Sequence, residues 1–385
     1  MKKEFWIKTA ALIAFIVITV ITVVLLNKDR PRFVFKDNFG TEYETARVLA
    51  VTEDNSVVDT NTDNVRKGSM DFKLEILSGR YKGDICFVRN HLSALYNVVV
   101  KEGDKVSVRI DTTEEGVYSV SIHNYYRIPL IVGLLVLFLA VLAAVGGKKG
   151  VLAFAGLVYT FIAIVFILIP LAFKGVNPIL ATVGILLVTT AFAFILIGGT
   201  GRKTLAATIG CMCGVVFAAL VGELAARIGS LTIYQTDEAE ALLLLLSSYP
   251  IKLRGLLTSA ILISAIGAVM DVAMSVASSV SEIATLNPGI GFKKLFKSGL
   301  NIGRDAMGTM ANTLVLAYAG SSLNMMVLIY SYGVSMNRLL NTDFVAIELI
   351  MAISGSIGIV MTVPCVSFAA AKIFSGTNKL STSKK

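Results

Sequence analysis

Long uninterrupted apolar runs constrain this chain more than any other feature of its sequence. One run follows Met1–Glu4 and ends at Leu26, and seven more cover, approximately, residues 128–145, 151–173, 178–197, 204–226, 255–280, 302–326 and 344–373. An α-helix needs about 20 residues to cross a bilayer, and only a helix satisfies its own backbone hydrogen bonds there. The pattern therefore predicts an α-helical polytopic membrane protein with about eight transmembrane helices, whose main partner is the lipid bilayer.

The basic residues predict the orientation of the chain. Lys and Arg cluster at 148–149, 202–203, 293–297 and in the tail 374–385. Cytoplasmic loops of membrane proteins carry an excess of these residues. With the N-terminus inside, eight spans place all four clusters and both termini in the cytoplasm. The same distribution accounts for the net charge of +9 without a nucleic-acid partner.

The first run, within residues 1–27, has basic residues before and after it. Lys2 and Lys3 precede it, Lys28 follows it, and no small-residue A-x-A site lies in "VVLLNKDRPRF". A cleaved signal peptide normally carries such a site. We therefore expect an uncleaved signal-anchor helix.

Residues 33–124 are polar and alternate with a period of two, which is typical of β-strands. Five segments carry the alternation: "ETARVLAVTE", "MDFKLEIL", "GDICFVRN", "GDKVSVRID" and "GVYSVSIHN". The segment "SGRYKGD", at 78–84, predicts a hairpin loop. Five short strands favour a small β-barrel-like domain of OB-like type. The segment is acidic as well as basic and has no series of aromatic residues for stacking bases, so we expect an extracytoplasmic domain held between two spans rather than a nucleic-acid-binding domain. An envelope partner for this domain is left open.

Polar residues recur on two of the predicted spans within the seven-helix domain at 128–373. A carboxylate in the middle of a bilayer costs about 2.5–3.5 kcal/mol even on insertion scales, so Asp271 requires an explanation. Residues three or four apart share one helix face. One such series is Gly267, Asp271, Ser275, Ser278 and Glu282, and the other is Asn301, Asp305, Gly308, Asn312, Val315, Ala319 and Ser322.

The two series predict a polar cluster between the sixth and seventh spans. Arg304 neighbours Asp305 and could extend toward Asp271. Such a cluster could bind a proton, a cation or a polar solute, or it could only hold two helices together. The residues predicted to form a substrate or ion pathway are Asp271, Ser275, Asn301, Arg304, Asp305 and Asn312.

Enzymatic chemistry finds little support in the sequence. The two histidines and four cysteines lack the spacing of a metal site or a disulfide framework, and no Ser–His–Asp arrangement is present. An intramembrane aspartyl protease would need a G-x-G-D string, whereas this chain has "IGRD" at 302–305. We therefore expect neither an enzyme nor a bound metal or cofactor.

Several strings resemble the YibE/F family of bacterial multi-pass membrane proteins. They are "PIKLRGLL", "GAVMDVAMSVASS" and "NIGRDAMGTMANTLVLAYAGSSL", preceded by the β-domain. The resemblance extends from the β-domain through the last run and implies a bacterial cell membrane, but it names no substrate. Two functions stay open: a transporter or ion-coupled permease, which we favour, and a non-transporting scaffold whose β-domain binds an envelope partner.

Overall fold

A computed structural model describes residues 2–28, 41–62, 64–112, 117–231, 242–243, 246, 249–253 and 255–375. Residues 33–40 of the predicted β-domain and 376–385 of the predicted basic tail lie outside the described residues. The described residues fall into two compact units, one within Asp29–Val141 and the other made of Met1–Lys28 and Leu142–Lys385.

The first unit contains an antiparallel sheet of six strands. They are β1 (Thr41–Asp54), β2 (Val57–Asp59), β3 (Val65–Ile76), β4 (Ile85–Leu92), β5 (Lys105–Thr112) and β6 (Tyr118–Tyr125). The order is β2-β3-β1-β5-β6, and β4 pairs with β3. Each of the five predicted strand segments lies on one of the longer strands. Alternation did not predict β2 because three residues are too short for a period of two to be recognised.

Alternating side chains of the sheet form one apolar core. Phe72, Leu74 and Ile76 of β3 are fully buried, as are Val106 and Ile110 of β5. Burial of every second residue is what a half-solvated strand requires.

Among the described strands the sheet forms a half barrel, and no strand pairing joins β4 to β6. The loop between β4 and β5 bridges the gap: Asn90 Nδ2 donates to the carbonyl of Val98 at 2.9 Å, and the Val99 amide donates to Tyr125 Oη at 2.9 Å. The OB-like assignment stays a prediction.

The turn between β3 and β4 lies where the sequence predicted it. Gly79 and Gly83 have φ angles of 77° and 94°, in the left-handed region. Only glycine adopts this conformation without steric cost, so these two residues set the ends of the hairpin loop.

The described residues of the second unit are mostly helical, and so are residues 128–141, which belong to the first unit. The helices are α1 (Lys2–Asn27), α2 (Ile128–Ala163), α3 (Ile169–Phe173), α4 (Pro178–Gly198), α5 (Arg202–Ile228), α6 (Leu256–Leu286), α7 (Phe292–Ser321), α8 (Leu323–Ser331), α9 (Met336–Leu340) and α10 (Asp343–Ser375). A π-helical turn, Ile164–Leu168, joins α2 to α3.

Six helical segments of the described residues are long and apolar enough to cross a membrane, and a seventh is added if α7 and α8 form one bent span. The predicted count of eight is not confirmed, because Ile128–Phe173 is one helical run of 46 residues. That run is broken at Gly147, with φ 54° and ψ −138°. A Cβ on Gly150 would lie 1.9 Å from the carbonyl oxygen of Leu142. Residues eight apart in a straight helix are separated by about 12 Å, so the chain turns sharply here.

The most extensive helix contact of the described residues joins α5 to α10 through small residues. A Cβ on Gly210 would lie 2.4 Å from Val366 Cβ, and one on Gly214 would lie 1.8 Å from Thr362 Oγ1. Small residues allow membrane helices to approach until their backbones touch, which gives dispersion contacts where no hydrophobic effect operates. Helices α4, α6 and α7 complete the core around this pair.

Candidate functional site

The predicted polar series of α6 does share one helix face, but that face is exposed. Asp271 and Ser275 are exposed, and so is Gly267. The residues that pack into the helical core lie on the opposite side and include Val272 and Val276, which are almost completely buried. Periodicity correctly predicted which residues lie together, but not which side of the helix packs.

On α7, too, the predicted polar face is exposed rather than packed against a neighbouring helix. Asn301, Arg304, Asp305 and Asn312 are exposed. The glycines that approach a neighbouring helix are others: a Cβ on Gly303 would lie 2.3 Å from Val363 of α10, and one on Gly299 would lie 2.8 Å from Ser367.

Two contacts define the antiparallel alignment of α6 and α7. Tyr318 Oη donates to Ser264 Oγ at one end. At the other end, a Cβ on Gly299 would lie 3.0 Å from Val280. Asp271 lies about midway between these contacts, level with Gly308, so Arg304 is more than one helical turn away along the axis.

The predicted buried cluster of Arg304, Asp271 and Asp305 is therefore corrected. Within the described part of the chain, no hydrogen bond or ion pair joins these three residues, and all three are exposed. The physical reason is the orientation of α6, whose valine and alanine side fills the core and turns the polar side outward. Participation of the six predicted residues in a pathway stays a prediction.

Glu223, unlike Asp271, has side-chain partners on two helices. Glu223 of α5 accepts from Arg227 Nε at 2.7 Å, as expected for residues four apart on a helix. Thr258 Oγ1 of α6 also donates to Glu223, at 2.8 Å. The glutamate thus links α5 to α6, a contact that spacing within one helix does not predict.

Sequence reasoning missed Glu348 of α10, which lies near the break between α7 and α8. Helices α7 and α8 meet at a bend of 59°. A pocket of about 640 Å3 opens beside the bend and is lined by Ser322 and Tyr318 of this region and by Glu348 of α10. Glu348 lies within the last predicted span, so the reasoning applied to Asp271 could have found it.

Charged pairs of the β-sheet lie across neighbouring strands. Arg89 Nε and Nη2 donate to the two carboxylate oxygens of Asp71 at 2.8 and 2.7 Å, directly opposite in the β3–β4 register. This bidentate bond holds the pKa of Asp71 below its ordinary value. Tyr118 Oη donates to Asp84 at 2.7 Å, and this hydrogen bond raises the pKa of Tyr118 to about 12.

Comparison with family models covers both units. The YibE/F-like protein model matches residues 134–376, and the YibE/F family N-terminal domain matches residues 39–125. The chain belongs to the YibE/F family. The first match contains every helix from α3 to α10, and the second contains the whole sheet. Comparison with curated proteins and with solved structures gave no match.

As a YibE/F protein with several long apolar helices, the chain is a protein of the membrane type. Among the described residues, no group of three or more His, Cys, Asp or Glu side chains is arranged to hold a metal ion. That this chain needs no cofactor stays a prediction.

Proposed function

We propose that the chain is a transporter or ion-coupled permease of the bacterial plasma (inner) membrane. Its pathway runs along the polar face of α6 and α7, which we define as Asp271, Ser275, Asn301, Arg304, Asp305 and Asn312. The observation that carries the proposal is that these residues, on two adjacent spans, are exposed on the surface of the folded chain.

The energetic cost of lipid contact supports water along the polar face. A carboxylate facing lipid near mid-bilayer would cost at least about 2.5–3.5 kcal/mol. The space above the face is also open, since a Cβ on Gly267 or on Gly308 would meet no atom within 4 Å. A hydrated route would keep Asp271 solvated and would give a small ion or polar solute a path between the two helices.

The topology we propose has eight spans. In it, the 46-residue run Ile128–Phe173 crosses the membrane twice and turns at Gly147. One crossing of about 30 Å needs only about 20 residues, so a single span would leave more than half of this run without a membrane to cross. Both termini are then cytoplasmic, and residues 33–124 are extracytoplasmic.

Cysteine accessibility tests the proposal without knowledge of the solute. The four native cysteines (Cys86, Cys211, Cys213 and Cys365) are replaced by alanine, and single cysteines are introduced at Ser275 and Asn312. We expect a small, charged methanethiosulfonate reagent to label both positions in membranes. Val216→Cys is the control, because Val216 is an exposed apolar residue in the middle of α5 and should face lipid. Labelling of Val216→Cys with neither polar-face position labelled would contradict a hydrated pathway.

A scaffold function is the second candidate, and one feature of the β-domain favours it. Four large apolar side chains of β4 and the loop after it are exposed: Ile85 (54%), Phe87 (74%), Leu95 (89%) and Tyr96 (76%). Ile85 and Phe87 lie two residues apart on one face of β4, and exposed apolar patches are typical of binding surfaces, here for an envelope partner.

Deletion of the β-domain separates the two functions. A permease core should keep part of its flux, whereas a scaffold should lose its role completely. The flux to follow is identified by uptake and efflux profiling of a deletion strain against ions and small metabolites.

A further inference from the structure

The break between α7 and α8 borders a pocket that the polar face of α6 and α7 does not include. Its volume, about 640 Å3, lies within the usual 300–1,000 Å3 of small-molecule sites. Its walls come from α7, α8, α9 and α10, and most lining side chains are apolar, among them Met326, Leu339 and Leu349. The pocket therefore suits a molecule with a substantial hydrophobic part.

Two oxygen atoms of the lining are buried. Ser322 is 8% exposed, its Oγ is buried, and its hydroxyl interacts with the Glu348 carboxylate. One carboxylate oxygen of Glu348, Oε2, is also buried. A single hydroxyl proton uses little of the bonding capacity and none of the charge of a carboxylate, so Glu348 offers a place for a positively charged group from outside the chain.

The charge of the pocket lining favours a positively charged ligand group. Among the described residues that line the pocket, Glu348 is the one carboxylate and none is Lys, Arg or His. The aromatic rings of Tyr318, Tyr330 and Phe344 also line it. Aromatic faces attract organic cations through their quadrupoles, and this attraction strengthens when the cation is desolvated.

We propose that this pocket binds an amphiphilic organic monocation, meaning an ammonium or phosphonium centre that carries hydrophobic substituents. The cation would lie against Glu348 and the aromatic rings, and its substituents would fill the apolar walls. A divalent metal ion fits poorly, because calcium takes six to eight oxygen ligands and the lining supplies few. A zwitterionic phospholipid also fits poorly, because its phosphate would have no basic partner among the described lining residues.

Binding to the purified full chain in phosphatidylcholine nanodiscs tests the proposal. Radiolabelled tetraphenylphosphonium serves as the cation, and tetraphenylborate, which has the same shape and the opposite charge, serves as the matched competitor. We expect saturable binding of the cation that tetraphenylborate does not displace. Glu348→Gln should weaken binding by about tenfold or more, because the Coulomb attraction between unit charges a few Å apart in a protein exceeds the free energy of a tenfold change in affinity.

Two further variants keep the test decisive. Asp343→Asn, on the same helix and outside the pocket lining, should bind like the wild type. Glu348→Asp, which keeps the charge, should retain most of the binding if Glu348→Gln fails to fold. Equal binding of the anion, or full binding by folded Glu348→Gln, would overturn the proposal. Binding does not depend on labelling of the polar face, so the monocation site and the hydrated pathway fail or stand separately.

Discussion

At the scale of single residues, Asp271 raises the main functional question. It lies near the middle of the 31-residue helix α6 and on its exposed side. Val269 and Val272, beside it, are buried in the helical core. The carboxylate does not hold α6 against α7 within the chain, which weakens the interpretation that it only joins these two helices.

Neutralising the acids of the polar face should abolish function without changing abundance. Asp271→Asn and Asp305→Asn keep side-chain volume but remove the negative charge, so neither should complement a deletion strain, while blots show normal protein levels. Arg304→Lys should be impaired as well, because an ammonium does not reproduce the planar guanidinium fork.

Glu223→Gln is the matched control, and its effect should be mild because glutamine can keep the hydrogen bond from Thr258. Full complementation by Asp271→Asn at wild-type abundance would refute a functional role for the carboxylate.

At the scale of helices, the contact between α5 and α10 holds the bundle together. Gly210, Gly214, Ala218 and Gly222 recur every four residues on α5. All four are buried. A Cβ on Gly358 of α10 would lie 2.8 Å from Ala218 Cβ. This four-residue repeat was visible in the sequence, but it carried no polar group to draw attention.

A single methyl group added at the α5–α10 contact should lower the stability of the protein. Gly214→Ala would place Cβ 1.8 Å from Thr362 Oγ1 and 2.8 Å from the carbonyl of Gly358, so the helices must separate. We expect a loss of about 1–3 kcal/mol in stability, typical of overpacking. Thermal unfolding in detergent, followed by size-exclusion chromatography, measures it.

Gly184→Ala on α4 provides the comparison, because an added Cβ there meets no atom within 4 Å. Because alanine favours a helix more than glycine does, this variant should be more stable by up to about 1 kcal/mol. Equal melting temperatures for the two variants would show that the α5–α10 contact tolerates separation.

At the scale of the whole molecule, the chain consists of a half-barrel unit and a helical unit, each with its own core. Twelve of the described residues of the half-barrel unit, all within 46–110, form its buried apolar cluster. Folding of the sheet therefore does not require apolar surface from the helices.

Residues 33–124, expressed alone, should be soluble and β-rich by circular dichroism. Their stability should also depend on pH. Hydrogen bonds, chiefly from Ser56, Lys67, Arg89 and Thr41 respectively, lower the pKa values of Asp54, Asp59, Asp71 and Asp111. A lowered carboxyl pKa stabilises the folded state above the ordinary value of about 4, and this contribution disappears as the pH falls through the lowered pKa.

The urea midpoint of the fragment should therefore be lower at pH 3 than at pH 7, and Asp71→Asn should reduce the difference. A random-coil spectrum at pH 7 would contradict independent folding.

The proposed orientation predicts which cysteines react in intact cells. Cys86 is a poor reporter because burial raises the pKa of its thiol. Glu102→Cys, at an exposed turn of the β-domain, should react with a membrane-impermeant maleimide in whole cells. Lys148→Cys, exposed beside Gly147, should react only after lysis. The reverse pattern would invert the topology.

The sequence by itself determined the local features of this protein. The period of two located the five long strands, the apolar runs located the membrane-type helices, and spacings of three and four residues identified which polar side chains share a face. These features are local because each depends on backbone geometry within a few residues. The family strings added the class of protein, which the family models confirmed.

Only the tertiary structure decided which faces are buried and where helices break. A helical repeat sets the relative positions of Asp271 and Ser275, but packing against α5 and α10 determined that their face points outward. The bend at Ser322 and the proximity of Glu348 to the pocket join residues far apart in the chain, and no local period carries that information. Burial is settled by competition among all apolar surfaces of the helical unit, and the valine, alanine and glycine faces that pack most closely take the interior.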